Sequence, residues 1–204
     1  MSEYSFVERT SAFLRRRADQ ALSSAYRLEL VRRGVQCGAG VTLAGRPNVE
    51  LVRGGEIHLE DGVTLNSRNR GYHINMHSAV KLMADRHGAR IFIGKGTRVH
   101  GSCIHATRSV RIGERCLVAA NCHIMDCDGH PLSLAAPERR MTEVGPSAPV
   151  DIQDDVWICA NTFVLSGVTI GAGTVVAANS VVSRNLPPRV LAGGVPAVVL
   201  KRLA

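Results

Sequence analysis

Aromatic residues make up only 4% of this 204-residue chain, with a single tryptophan. That scarcity excludes a core of large rings, and it leaves few of the stacking surfaces on which nucleic acid bases are read. What remains for the interior is small and β-branched aliphatics, as in a stacked architecture of narrow cross-section. At 45% hydrophobic, the chain has enough of them. The six cysteines (37, 103, 116, 122, 127, 159) contain no CxxC pair, which argues against a zinc ribbon or a thioredoxin-like site. No apolar run approaches the ~20 residues of a membrane span, and the N-terminus lacks a signal-peptide core. A cytoplasmic protein with reduced thiols is expected. Acidic residues are also in deficit, 17 against 25 basic, for a net charge of +8. This balance permits a polyanion or a phosphate-bearing ligand, while the absence of any nucleic-acid motif argues against a nucleic acid partner.

Residues 3–33 read as a helix, with Phe6, Phe13, Leu14, Leu22, Tyr26, Leu30 and Val31 broadly on one side and Gly34 as its stop. Its many arginines allow a second reading, contact with a membrane surface. After Gly34 a different rhythm takes over. From Ile152 an aliphatic falls every six residues: Ile158, Val164, Ile170, Val176, Val182. Four positions after each of the first five comes a small or β-branched residue: Val156, Thr162, Val168, Thr174, Ser180. The same register appears around Leu59 and Leu65, around Ile93 and Val99, and through Ile112, Val118 and Ile124 with Cys116 and Cys122.

A helix cannot keep a period of six on one face, because six residues carry it through ~600°. A short strand followed by a tight turn can. Three such units close a triangular coil of 18 residues, the separation of Ile152 and Ile170. The fold class expected is therefore all-β, a parallel β-helix over residues 35–186, with a helical segment at 1–34 and a closing segment at 187–204.

The rhythm breaks twice, between Leu65 and Ile93 and between Ile124 and Ile152. Loops leave a solenoid at such breaks, and loops on rigid scaffolds tend to carry chemistry. The second, residues 126–149, holds four prolines and the triplet Gly129-His130-Pro131. A neutral imidazole accepts a proton near neutral pH, and a carboxylate beside it fixes its tautomer. Asp126, Asp128 and Glu143 are all candidates for that orienting role.

The run from "DCDGHPLS" through "VWICANTF" to "NLPPRVLAGGVPAVVLKR" resembles the catalytic half of the hexapeptide-repeat acyltransferases, in particular the galactoside, maltose and exopolysaccharide O-acetyltransferases. The resemblance implies that the β-helix is left-handed and that the chains form homotrimers with sites between subunits. It implies that acetyl-CoA is the acyl donor, without a metal, and that the acceptor is a small-molecule or glycan hydroxyl. His130 would be the general base. Trp157 would lie beside the acyl group, with an oxyanion-binding amide near Cys159 and Ala160. Ala160, Gly167 and Ala178 would line the pantetheine groove, while Ser183 and Arg184 would meet phosphate, with Arg189, Lys201 and Arg202 in reserve. Val198 stands where related enzymes carry arginine. The acceptor side is less defined, with His100, Ser102 and His105 as candidates. Two other readings compete: a metal site of the gamma-class carbonic anhydrase type on His100 and His105, and a non-catalytic β-helix scaffold.

Overall fold

In the computed structural model the structure describes residues 6–204, and their side chains from Ser11 onward. The expected helix at residues 3–5 and the side chain of Phe6 lie outside the described residues. Helix α1 spans Phe6–Arg32. It ends as glycine at the stop position requires: Gly34 takes φ +92°, and the Val35 amide turns back to the Leu30 carbonyl at 3.0 Å. Its contacts with the body are narrower than the apolar spacing suggested. Leu30 is buried and Tyr26 packs on the core, whereas Phe13, Leu14, Leu22 and Val31 are exposed. Polar links do the rest: the Ser23 hydroxyl accepts from the Leu43 amide, and Glu29 and Asp19 pair with Arg46 and Arg68.

From Gln36 the chain winds through three parallel faces. Face A stacks Gln36–Cys37, Glu56–Leu59, Arg90–Ile93, Ser109–Ile112, Val150–Ile152 and Thr169–Ile170. Face B stacks Thr42–Ala44, Thr64–Asn66, Arg98–His100, Leu117–Val118, Trp157–Ile158 and Val175–Val176. Face C stacks Asn48–Leu51, Lys81–Ala84, Cys103–Ala106, His123–Met125, Phe163–Val164 and Val181–Val182. Every pairing within these stacks is parallel and in register. Leu59, Ile93, Ile112, Ile152 and Ile170 thus form one vertical ladder inside face A. All five are fully buried.

The small residues four positions further on occupy the corners, where backbone groups would otherwise lose their partners. The Thr97 hydroxyl donates to the Gly113 carbonyl at 2.7 Å and accepts from the Cys116 amide at 2.9 Å. Cys116 and Cys122 sit at equivalent corners and donate to the carbonyls of Gln153 and Cys159. The upper end is closed by Val190–Gly194, parallel to Val175–Val176, and by Ala197–Arg202, which runs antiparallel to it.

Both expected breaks are excursions from corners. Residues 67–80 leave the corner between faces B and C, and residues 126–149 leave the corner between faces C and A. The first lies flat on the coil above it: an added Cβ at Gly101 would meet Met76 at 2.6 Å, so only glycine lets that segment close down.

Candidate active site

The excursion at 126–149 is a braced arm. Cys127 bridges Ser147 in antiparallel fashion, the Asp128 amide donates to Pro146, and the Gly145 amide donates to Gly129. A Cβ on Gly145 would lie 2.5 Å from the His130 carbonyl oxygen, so this glycine allows the two legs to meet at the histidine. A four-residue helix, α2 (Arg139–Thr142), caps the tip. His130 is exposed, and among the described residues its imidazole has no hydrogen-bond partner.

None of the three carboxylates considered as its orienting partner contacts the ring. Asp126 is fully buried and faces inward, accepting from the amides of Thr107, Arg108 and Ser109 at 2.6–2.7 Å and from the Thr107 hydroxyl at 3.0 Å. It is the anchor of the arm. Glu143 is held by Arg139 in a two-pronged pair at 2.6 and 2.7 Å. That salt bridge holds its carboxyl below the usual carboxylate range. Asp128 is exposed and touches His130 only through its carbonyl, which accepts the His130 amide.

Trp157, 46% exposed, projects from face B. Its chain leads into the corner formed by Cys159, Ala160 and Asn161, the last at φ +59°. Of the two amides expected to serve an oxyanion, that of Cys159 is committed to the Val176 carbonyl at 2.9 Å. The amide of Ala160 has no acceptor among the described residues. Ala178 occupies the same corner one coil higher, and it is exposed. Gly167 does not join them. It lies at the corner between faces C and A, one coil above the root of the arm, with its amide on the Ala148 carbonyl. Ser183 and Arg184 follow on that same corner, both exposed. One chain therefore carries two groups on opposite edges of face C: Trp157, Ala160 and Ala178 on one, and His130, Gly167, Ser183 and Arg184 on the other.

The acceptor candidates divide as well. Ser102 is a corner residue, not a surface one: its buried hydroxyl accepts from the Cys122 amide and donates to Ala119 at 2.7 Å or His100 at 2.8 Å. His105 sits on face C between Met83 and Met125, with Nε2 2.9 Å from Asp85 and Nδ1 3.8 Å from the Cys127 sulfur. It steadies the foot of the arm. His100, on face B, is buried, bonds Asn66 through Nδ1 and stacks on Tyr72 at 4.4 Å. Burial, then the charges of Arg98 and His73, push its pKa down to about 4. His100 and His105 thus belong to different faces and are each engaged within the chain. No group of three metal-ligating side chains exists among the described residues.

Tyr72 was not among the residues singled out from sequence. The excursion 67–80 brings its ring over His100 and its hydroxyl to the backbone of Ala120, one coil below Ala160. Only the broken rhythm between Leu65 and Ile93 signalled it.

The stacked coils and their corners define a hexapeptide-repeat β-helix, and comparison with known proteins bears this out. The six-repeat bacterial transferase hexapeptide pattern matches residues 149–184. The chain is similar to the hexapeptide-repeat acyltransferases in sequence and in fold, as a left-handed parallel β-helix with an N-terminal helix. Among curated relatives, the galactoside O-acetyltransferase of Escherichia coli is 33% identical over 118 residues, 57% of this chain and 56% of the relative. A Schizosaccharomyces pombe protein named as an acetyltransferase is 33% identical over 122 residues, 59% of this chain and 57% of the relative. The chain spans little more than half the length of these relatives. Among solved structures, a Vibrio cholerae hexapeptide-repeat acetyltransferase complexed with acetyl-CoA superposes at a TM-score of 0.61 with 26% identity, covering 91% of this chain and 81% of the other. A galactoside acetyltransferase in complex with coenzyme A gives 0.52 with 33% identity over 56% of each chain. No helix among the described residues is long and apolar enough to cross a membrane.

Proposed function

We propose that the chain is an acetyl-CoA-dependent O-acetyltransferase that moves an acetyl group to a hydroxyl of a sugar or glycan. The observation that carries this reading is His130: an exposed imidazole with no hydrogen-bond partner among the described residues, at the point where the two legs of a braced arm meet. A surface histidine without a role needs no such bracing.

The acceptor hydroxyl gives its proton to the imidazole as its oxygen attacks the thioester carbonyl. The negative charge that develops on the carbonyl oxygen is met by the uncommitted amide of Ala160, a donor fixed in place before the reaction. Collapse of the tetrahedral species breaks the carbon–sulfur bond, and the imidazolium returns its proton to the leaving thiolate. The products are an acetyl ester and free CoA. No covalent enzyme intermediate is needed. The pantetheine arm runs past Ala160 and Ala178 on one side and Gly167 on the other, with Ser183 and Arg184 toward the phosphates.

The placement of these groups supports an assembly with sites between subunits, which we take to be a homotrimer. His130 and Ala160 of one chain are separated by the breadth of face C, so a working site takes one group from each of two copies. The arm is suited to such a contact. Leu132, Leu134 and Met141 near its tip are 86–88% exposed, a state that burial against a neighbour relieves.

The test is His130→Ala. It is expected to keep the fold and the affinity for acetyl-CoA while lowering acetyl transfer, read as thiol release, by about 10²–10⁴. Turnover near that of the unaltered protein would remove His130 from the role of base.

A further inference from the structure

Face B carries more than the acyl group's surroundings. Below Trp157 its outward row continues in register through Leu117, Arg98, Thr64 and Thr42. At ~4.8 Å per strand, those four steps make a track of about 19 Å. The far end opens into a cavity of about 330 Å³ between face B and α1, walled by Arg27 and Arg68.

The charges along this track differ from those on the strands of the other two faces. On face A the cations are neutralised: Arg90 pairs with Glu56, Arg111 with Asp151, and at the neighbouring corner Arg115 with Asp155. On face C, Lys81 pairs with Glu50. Along face B, Arg98 is exposed halfway up the track, and Arg27 lies at its end with Arg70 nearby on the first excursion. Among the described residues these three arginines form no ion pair. The local carboxylate, Asp19, is taken by Arg68 at 2.6 Å. The Arg27 Nε is enclosed and has no hydrogen-bond partner among the described residues, a costly state that an acceptor oxygen in the cavity would relieve.

A small anion would fill the cavity but leave Arg98 and the exposed indole unused. A longer ligand with repeated charge uses all of them. We propose that face B binds an anionic oligosaccharide, lying from Trp157 to the α1 cavity, whose carboxylate or phosphate groups are received by Arg98 and Arg27. That this oligosaccharide is the acetyl acceptor rests on the reading above; that it binds does not.

Trp157 is the chain's one tryptophan and lies on the track, so its fluorescence reports occupancy directly. The full protein is titrated with a linear tetrasaccharide of uronic acid, a neutral tetrasaccharide, glucose 1-phosphate and a short single-stranded oligonucleotide. The acidic tetrasaccharide is expected to bind at least about tenfold tighter than the neutral one. Arg98→Gln and Arg27→Gln should each remove about tenfold of that affinity. Raised salt should weaken it further. Glucose 1-phosphate binding as tightly as the acidic tetrasaccharide overturns the proposal, since a single small anion would then suffice without Arg98. Equal affinity for the neutral tetrasaccharide overturns the proposal. So does indifference to Arg98→Gln, an exposed position whose variant keeps the fold, and so does tighter binding of the oligonucleotide. Acetyl-CoA is titrated separately; its failure to bind would sink the transferase reading and leave the oligosaccharide result standing.

Discussion

Oδ1 of Asp126 lies 2.7 Å from the amide nitrogen of Thr107 and 3.0 Å from its hydroxyl. Through this pair the root of the arm that carries His130 is tied to the coil beneath it, and the other oxygen of the same carboxylate secures the amides of Arg108 and Ser109. Two residues down the chain, Asp128 remains in solvent. Similar in sequence, the two aspartates do different work because only one points into the stack.

Asp126→Ala leaves these buried donors without an acceptor. A loss of roughly 3 kcal/mol in unfolding free energy is expected, measured by denaturant titration. Limited trypsinolysis should also cut at Arg139 and Arg140 sooner than in the unaltered protein. An unchanged midpoint with normal protease resistance would contradict the anchoring role.

The split of the site between two edges of face C makes complementation the direct test of assembly. His130→Ala removes one group, and Ala178→Trp blocks the groove at an exposed position on the other edge. Each variant alone should be inactive. Subunits exchanged at equal amounts should regain about a quarter of the normal thiol-release rate, since some sites then draw both groups from intact edges. No recovery after verified exchange would place the whole site within one chain.

His100 predicts a pH dependence of stability. Its folded pKa of about 4 lies below the ordinary 6.5, so between those values the unfolded chain binds more protons. The contribution is fully present above about pH 6.5 and is lost as pH falls toward 4, amounting to at most roughly 3 kcal/mol. His100→Gln should flatten that part of the stability profile, as measured by unfolding between pH 4 and 7. A profile of unchanged slope would show that His100 is not held neutral.

The cysteines give a chemical check on a mechanism without an acyl-enzyme. All six are free thiols. Burial pushes Cys116 and Cys122 up to about 11, so neither presents thiolate at neutral pH. Alkylation of the folded protein at pH 8, read by mass spectrometry, should spare both while modifying the half-buried Cys103 and Cys159 first. Cys159→Ser should retain turnover within about threefold. Collapse of activity in that variant would point to a thiol in the reaction.

Much of this architecture is legible in the residues themselves. A repeat of six imposes its own geometry, since each aliphatic has one inward position and each corner admits only a small side chain or a hydroxyl that bonds the backbone. Ile152, Ile158 and Val164 thus announce three faces before any coordinates exist. The two breaks are equally visible, because prolines and a lost period cannot be hidden in a stack. The helix is less legible: its apolar spacing suggests a broad buried side, yet among the described residues only Leu30 and Tyr26 of its apolar side chains pack on the coil.

The sequence by itself determined the repeat, the two excursions and the histidine at the bend of the second, because these depend on spacing along the chain. Tertiary structure alone decided which carboxylate became an anchor, that Ser102 serves the backbone, that the Ala160 amide is free while that of Cys159 is spent, and that Tyr72 covers His100. Each of these turns on which neighbour lies one coil above or below. That neighbour stands 18 or more residues away, at a distance set by every loop between. Arg98 on face B belongs to the same kind: its charge is plain in the sequence, but its lack of an ion-pair partner among the described residues is a property of the stacked surface.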